Sequence, residues 1–223
     1  MVRLSGNGLK IIAAVTMFLD HMGLLLFPHS LFLRMVGRLA FPIFAYMIAE
    51  GCFYTRSRRR YLALILGLAT VCQVVYFVFD GSLYMNILFT FSLAIVTIYA
   101  LDAFKAAPGL RTGLLFLGTL GAVWGLNQAF TIDYGFWGCM VPVFASLPSH
   151  TQSDSQIRRI LCMAAGLVLL CYALGGLQIY SLLALPLLTC YSGQRGKWNL
   201  KYFFYIFYPA HLVLLQGLQM LLR

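Results

Sequence analysis

Apolar runs about as long as a bilayer is thick follow one another along this chain, and no other feature constrains its fold as strongly. A hydrocarbon core of about 30 Å takes about 20 helical residues to cross. Such runs fall at residues 9–27, 31–54, 61–79, 83–101, 112–126, 134–147, 160–174, 177–191 and 202–222. Hydrocarbon offers no water to free backbone N–H and C=O groups, so a chain of this kind crosses as helices. The reading is all-α: a polytopic membrane helix bundle of about nine transmembrane helices. Hydrophobic residues make up 61% of the 223 and charged residues 10%, with a mean hydropathy of +0.86. No polar block is left over for a soluble domain, and residues 1–223 read as one domain.

The first run, preceded by Arg3 and Lys10, has the outline of a signal peptide. No small-residue cleavage site follows it, however, and a second long run begins at Leu31, so it is expected to be retained. The formal charge of +10 invites a nucleic-acid reading. The sixteen Lys and Arg sit mostly in short loops instead, where they report orientation and not a nucleic-acid partner. With nine crossings, Arg3, the Arg56–Arg60 cluster, Lys105, Arg111, Arg158, Arg159, Arg195, Lys197 and Lys201 fall on one side. Among loops and tails only Arg223 falls on the other. This predicts a membrane protein with its N-terminus in the cytoplasm and its C-terminus outside. The six cysteines show no CxxC pair and mostly lie within apolar runs, as small buried hydrophobes; neither a disulfide framework nor a metal site is expected. No internal repeat supports an inverted-repeat transporter.

Against this background the polar residues inside the apolar runs stand out. Lys10 and His21 are eleven residues apart, close to three helical turns, so they share one face of the first helix about 16 Å apart along its axis. Arg34 and Arg38, at i and i+4, share a face of the second helix and enter from the opposite side. Burying either in lipid costs a few kcal/mol at least, which directs both toward the protein interior or a watery cavity. Plainer roles exist for each: Lys10 and Arg34 as interfacial anchors, His21 as a satisfied core histidine. Asp20 is turned about 100° from His21, so it either orients that ring or pairs with Arg34 or Arg38. Glu50 reads as a catalytic carboxylate or as the ion-pair partner of Lys10 or of the arginine cluster. Asn86 and Thr90, on one face at the outer end of the fourth helix, are candidates for the same cavity. His211 follows Tyr208-Pro209 in the last helix, where the proline frees a backbone carbonyl and favours a kink and a polar pocket. By depth His21 and His211 are able to meet. Asp133-Tyr134-Gly135-Phe136-Trp137-Gly138 opens the sixth helix, and its aromatics suit an interfacial belt.

Several blocks together resemble the TraX family of membrane proteins. They are Leu9-Lys10-Ile11-Ile12-Ala13, Asp20-His21-Met22-Gly23, and the stretch from Arg34-Met35-Val36-Gly37-Arg38 through Phe41-Pro42 to Ile48-Ala49-Glu50-Gly51. Asn86-Ile87-Leu88-Phe89-Thr90, Asp133-Tyr134-Gly135 with Gly138, and Tyr208-Pro209-Ala210-His211-Leu212 continue the match in the family's order. TraX is named for an enzyme that N-acetylates a conjugative pilin subunit. The resemblance also implies kinship with transmembrane acyltransferases such as the acyltransferase type three family. There a basic residue, ten residues and a histidine form a first-helix signature that Lys10 and His21 reproduce. Two departures are Lys in place of Arg at the head of that signature, and Leu88 in an otherwise more aromatic block.

The resemblance implies an acyl-CoA-dependent acetyltransferase of the bacterial cytoplasmic membrane that takes acetyl-CoA from the cytoplasm. The acyl group passes to an acceptor in the membrane or beyond it, a pilin-like protein or an envelope glycan. His21 then acts as general base, with His211 as the alternative, and Asp20 orients or polarises it. Arg38 with Arg34 stabilises charge on the thioester oxygen or holds a phosphate or carboxylate, while Lys10 and the Arg56–Arg60 cluster meet the CoA phosphates. Glu50, Asn86 and Thr90 complete the expected donor site. Two other classes compete: a proton- or ion-coupled transporter, and a non-catalytic subunit whose charges pair with a partner's helices. From the residues alone acyl transfer and transport stand level; the resemblance favours acyl transfer.

Overall fold

The computed structural model of the chain describes residues 3–148, 155–197 and 200–222. Ser5 starts the first helix by accepting the Gly8 N–H at 3.2 Å, and α1 runs over Gly6–Leu25. It is followed by α2 (Leu31–Gly37), α3 (Ala40–Tyr54), α4 (Arg58–Asp80), α5 (Ile87–Ala106), α6 (Leu110–Ala129), α7 (Gly135–Ala145) and α8 (Ser155–Leu174). A 3-10 helix (Gly176–Leu183) leads into α9 (Ala184–Thr189), and α10 (Lys201–Leu222) ends the bundle.

The run at 31–54 is broken, and Pro42 gives the reason. It sits in the first turn of α3 with no N–H to donate, and its ring excludes a helical approach to the carbonyl four residues back, that of Arg38. The chain therefore leaves α2 at Gly37 and re-enters a helix at Ala40, with Arg38 at the joint. Two consecutive glycines in the left-handed region, Gly175 (φ 66°) and Gly176 (φ 54°), make the turn into the 3-10 helix.

One end of the bundle is tied by backbone hydrogen bonds from Leu4 N to Cys190 O (2.8 Å), Gly6 N to Gln194 O (2.7 Å) and Asn7 N to Arg195 O (2.9 Å). The opposite end is tied by Met85 N to Thr131 O and Asp133 N to Met85 O, both 2.9 Å. Taking α2 with α3 and the 3-10 helix with α9, the described residues pass between these ends nine times. Six of those passes are long and apolar enough to cross a membrane. The other three are α6, which is long but interrupted by glycines, Asn127 and Gln128, the 11-residue α7, and the short pair over Gly176–Thr189.

Small residues let the helices approach closely where the core is deepest. Ala13 of α1, Ala45 and Ala49 of α3 and Ala94 of α5 are buried beside Leu9, Ile43, Tyr46, Ile95 and Leu212. The outward faces carry exposed Val78, Leu117, Leu161 and Leu221, as expected of a surface in contact with lipid.

Two sequence expectations are corrected here. Arg159 is no loop cation: it lies within α8 and is buried, 3% exposed. Its partner is Glu50, so Glu50 balances neither Lys10 nor the Arg56–Arg60 cluster. Arg223, expected on the far side, lies outside the described residues.

Candidate functional site

A cavity of about 630 Å³ lies inside the bundle, within the size range of small-molecule and cofactor sites. It follows α1: Gly6, Asn7 and Lys10 line it near the start of that helix, and Met17, Asp20 and His21 line it toward the end. Fifteen residues separate Gly6 from His21, about 22 Å of helix. Arg195 joins Lys10 at the first end, and Asp133 and Tyr134 join Asp20 and His21 at the second. Between them the walls are apolar, with Phe41, Phe44, Ile65, Leu68 and Phe91. The Lys10 ammonium lies 6.0 Å from the centre of the Phe204 ring, which also lines the first end.

Lys10 and His21 thus open onto one cavity, as their spacing on one helical face predicts. His21 also meets His211: His21 Nδ1 and His211 Nε2 are 3.0 Å apart, joining α1 to α10. Only His21 of the two lines the cavity, since His211 is 3% exposed behind it. Phe207 stacks on the His211 ring (5.1 Å, 11°) and Tyr208 meets it edge-on (5.4 Å, 79°).

Asp20 pairs with both arginines. Arg38 Nη2 donates to Asp20 Oδ1 at 2.8 Å and to Oδ2 at 2.9 Å, and Arg34 Nη1 lies 2.9 Å from Oδ2 and donates to the Asp20 carbonyl at 3.1 Å. The Asp20 carboxylate is thus turned to the arginines and does not orient the His21 ring directly. Neither Arg34 nor Arg38 lines the cavity, and both guanidinium groups hold Asp20. The approach is close because residue 37 has no side chain: a Cβ there would lie 2.3 Å from Asp20 Cβ.

Arg38 reaches the start of α7 too, its Nη1 donating to Tyr134 Oη at 3.2 Å. Tyr134 is a residue the belt reading misplaced. It adopts a left-handed backbone (φ 60°), stacks on Phe41 at 4.2 Å and faces the cavity, with Gly138 clearing the space beneath its Cβ. Beside it, Asp133 Oδ1 accepts from the Tyr84 hydroxyl at 2.9 Å. Burial pushes the Asp133 carboxyl up to about 6, against the downward pull of Tyr84, Arg38 and the Tyr134 N–H. Sequence reasoning passed over this carboxylate, although its place beside a glycine-punctuated turn between two apolar runs was a usable signal.

Glu50 lines the cavity near its first end, paired with Arg159 and accepting from Tyr191 Oη at 3.1 Å. Arg159 also donates Nε–H to Ala145 O at 3.0 Å, so the pair bolts α3 to α7 and α8. Asn86 and Thr90 bond to other parts of the protein. Asn86 caps α5 by accepting from Leu88 N (3.1 Å) and donates to Ala69 O (2.9 Å), while the Thr90 hydroxyl donates to Asp133 O. Neither lines the cavity.

Fold and site together define a polytopic helical membrane protein whose interior cavity runs from a cationic end to a cluster of histidine, aspartate and tyrosine. Within that class the chain belongs to the TraX family: the family described as "TraX protein" matches residues 5–219. Similar chains include a probable fimbrial assembly protein FimC, serogroup H1, of Dichelobacter nodosus, 28% identical over 96% of each chain. Protein TraX of Escherichia coli is 27% identical over 93% of this chain and 84% of its own. An uncharacterised Rickettsia prowazekii protein is 24% identical over 67% of this chain and 58% of its own. No solved structure matches.

Proposed function

We propose that this protein is an integral membrane acyltransferase that moves an acetyl or short acyl group from acyl-CoA to an amine or hydroxyl acceptor. The observation that carries the reading is the cavity shared by Lys10 and Arg195 at one end and His21 at the other. Positive charge suits the donor's phosphates. The distance of about 16 Å along α1 from Lys10 to His21 is comparable to the reach of an extended pantetheine arm, which the apolar walls accommodate. The cationic end faces the cytoplasm by the distribution of loop charges.

At the far end His21, the histidine on the cavity, takes the acceptor proton as the acceptor nitrogen or oxygen attacks the thioester carbon. The carbon–sulfur bond then breaks, and the proton passes from His21 to the departing thiolate. Tyr134, whose oxygen already accepts from Arg38, keeps its own O–H for the thioester oxygen as negative charge builds there. Arg34 and Arg38 serve by fixing Asp20 and Tyr134. The similarity to a probable fimbrial assembly protein supports a pilin-like protein as acceptor, and an envelope glycan is the other class with a suitable nucleophile.

The test is release of free CoA thiol from acetyl-CoA by purified protein in detergent, with a crude membrane extract as acceptor. Release by wild type and none by His21→Ala supports the reading. Equal release by both, or none by wild type with no acetyl-CoA binding by calorimetry, rejects it.

A further inference from the structure

We infer that His211 is a positioning residue that fixes which nitrogen of His21 is the base: His21 is held as the Nδ1–H tautomer, with the lone pair of Nε2 free toward the cavity. His211 Nδ1 lies 2.9 Å from the carbonyl oxygen of Phe207. A carbonyl only accepts, so Nδ1 of His211 carries the proton, and in a neutral imidazole Nε2 is then an acceptor. His211 Nε2 is also the atom 3.0 Å from His21 Nδ1. Two acceptors do not bond, so His21 Nδ1 carries a proton and donates it. Neutral His21 is left with its lone pair on Nε2, the ring nitrogen not committed to His211, and the Met17 carbonyl one turn back on α1 is a further backbone partner of the His21 ring.

The elements enforce the arrangement. Phe207 and His211 are one turn apart on α10, which puts the Phe207 carbonyl within reach of the His211 ring. The ring is packed between the parallel face of Phe207 and the edge of Tyr208, with the Phe18 ring of α1 centred 6.5 Å away. In water the opposite tautomer is open to His21, and there Nε2 would carry hydrogen and could not take a proton from an acceptor. The relay resembles in logic the orienting partner of a nucleophile–base pair, with a neutral imidazole in place of a carboxylate.

The inference rests on the acyl-transfer reading for its consequence, but not for its geometry. On proton transfer the acceptor's proton moves to His21 Nε2, and the imidazolium so formed keeps its Nδ1–H on His211 Nε2. The Nε2 proton then leaves with the CoA sulfur, and His211 ends as it began, its Nδ1–H on Phe207.

The experiment has two arms. First, 15N NMR of histidine-labelled protein in detergent, with His21 identified by its loss in His21→Gln, reads the tautomer without any turnover. Wild-type His21 is expected as the Nδ1–H form, as is His21 in His211→Gln, where the oxygen of the introduced amide replaces the imidazole nitrogen as acceptor. In His211→Phe, where the Met17 carbonyl is left as a partner of the ring, that preference should weaken; a fully retained Nδ1–H form there would overturn the inference. Second, in thiol release His211→Phe should lose about 10²–10³-fold in kcat with little change in KM for acetyl-CoA, and His211→Gln should recover to within about tenfold of wild type. An Nε2–H tautomer at His21 in wild type overturns the inference, as does equal loss of kcat in Gln and Phe variants that both keep the wild-type unfolding midpoint. A correct tautomer in a protein that cleaves no thioester would instead reject the acyl-transfer reading alone.

Discussion

Gly37→Ala is a one-carbon test of the site's architecture. The added Cβ would lie 2.3 Å from Asp20 Cβ, 2.4 Å from Asp20 Oδ1 and 2.7 Å from Asp20 Cα. Carbon–carbon contacts settle near 3.5–4.0 Å, and the last of these contacts is backbone, so rotating the Asp20 side chain does not relieve the clash. α2 must withdraw from α1 by roughly 1 Å. The Arg38–Asp20 bonds, now 2.8 and 2.9 Å, would then stretch toward about 3.8 Å, outside hydrogen-bonding range. Overpacking of this size costs about 1–3 kcal/mol of stability, and a displacement of about 1 Å in a catalytic group can cost on the order of 10²-fold in rate. Thermal unfolding in detergent and thiol release from acetyl-CoA read the two effects. Gly67→Ala on α4, where a Cβ meets nothing within 4 Å, is the control: it should leave the rate unchanged and raise stability by up to about 1 kcal/mol, the advantage of alanine over glycine inside a helix. Wild-type rate and stability in Gly37→Ala would refute the claim that contact between α1 and α2 sets the site.

Three further outcomes follow from the same geometry. Glu50→Leu strands the buried Arg159 cation and should destabilise by about 3–5 kcal/mol, whereas Glu50→Leu with Arg159→Met should recover most of that in unfolding assays. Lys10→Met should raise KM for acetyl-CoA about tenfold with kcat nearly unchanged, the signature of a lost charged contact to the bound donor. Asp133, with its folded value raised to about 6 from an ordinary 3.8, binds its proton more readily folded than unfolded. Its contribution is therefore fully present below pH 3.8 and lost as pH rises through 6, and Asp133→Asn should flatten stability over that window in a pH series of unfolding midpoints.

The helical passes were legible because hydrophobic length is a strong, local signal. The run at 31–54 shows its limit: the break at Arg38 depends on Pro42 four residues on, which a hydropathy window averages away. Lys10 and His21 were placed together correctly because both lie on one helix, where spacing fixes direction. Relations between helices were only partly readable. The His21–His211 meeting was within reach of depth counting, and Asp20 pairing with Arg34 and Arg38 was one of two open choices. The Glu50–Arg159 pair was not accessible, since Arg159 stands beside Arg158 at the start of a helix and reads as part of a loop charge. Asn86 and Thr90 looked like ligand contacts because a polar residue next to an apolar run looks alike whether it binds a ligand or caps a helix. In the fold Asn86 caps α5 and Thr90 ties that helix to Asp133.

Acyl transfer is separated most directly from transport by following the acetyl group itself. Protein reconstituted in vesicles, with acetyl-labelled acetyl-CoA inside or outside and membrane extract as acceptor, gives a product that mass spectrometry and label counting can identify. The account predicts label in a covalently acetylated amine or hydroxyl with stoichiometric free CoA for wild type, and neither for His21→Ala. Label recovered across the membrane as intact acetyl-CoA, with no free thiol, would contradict it.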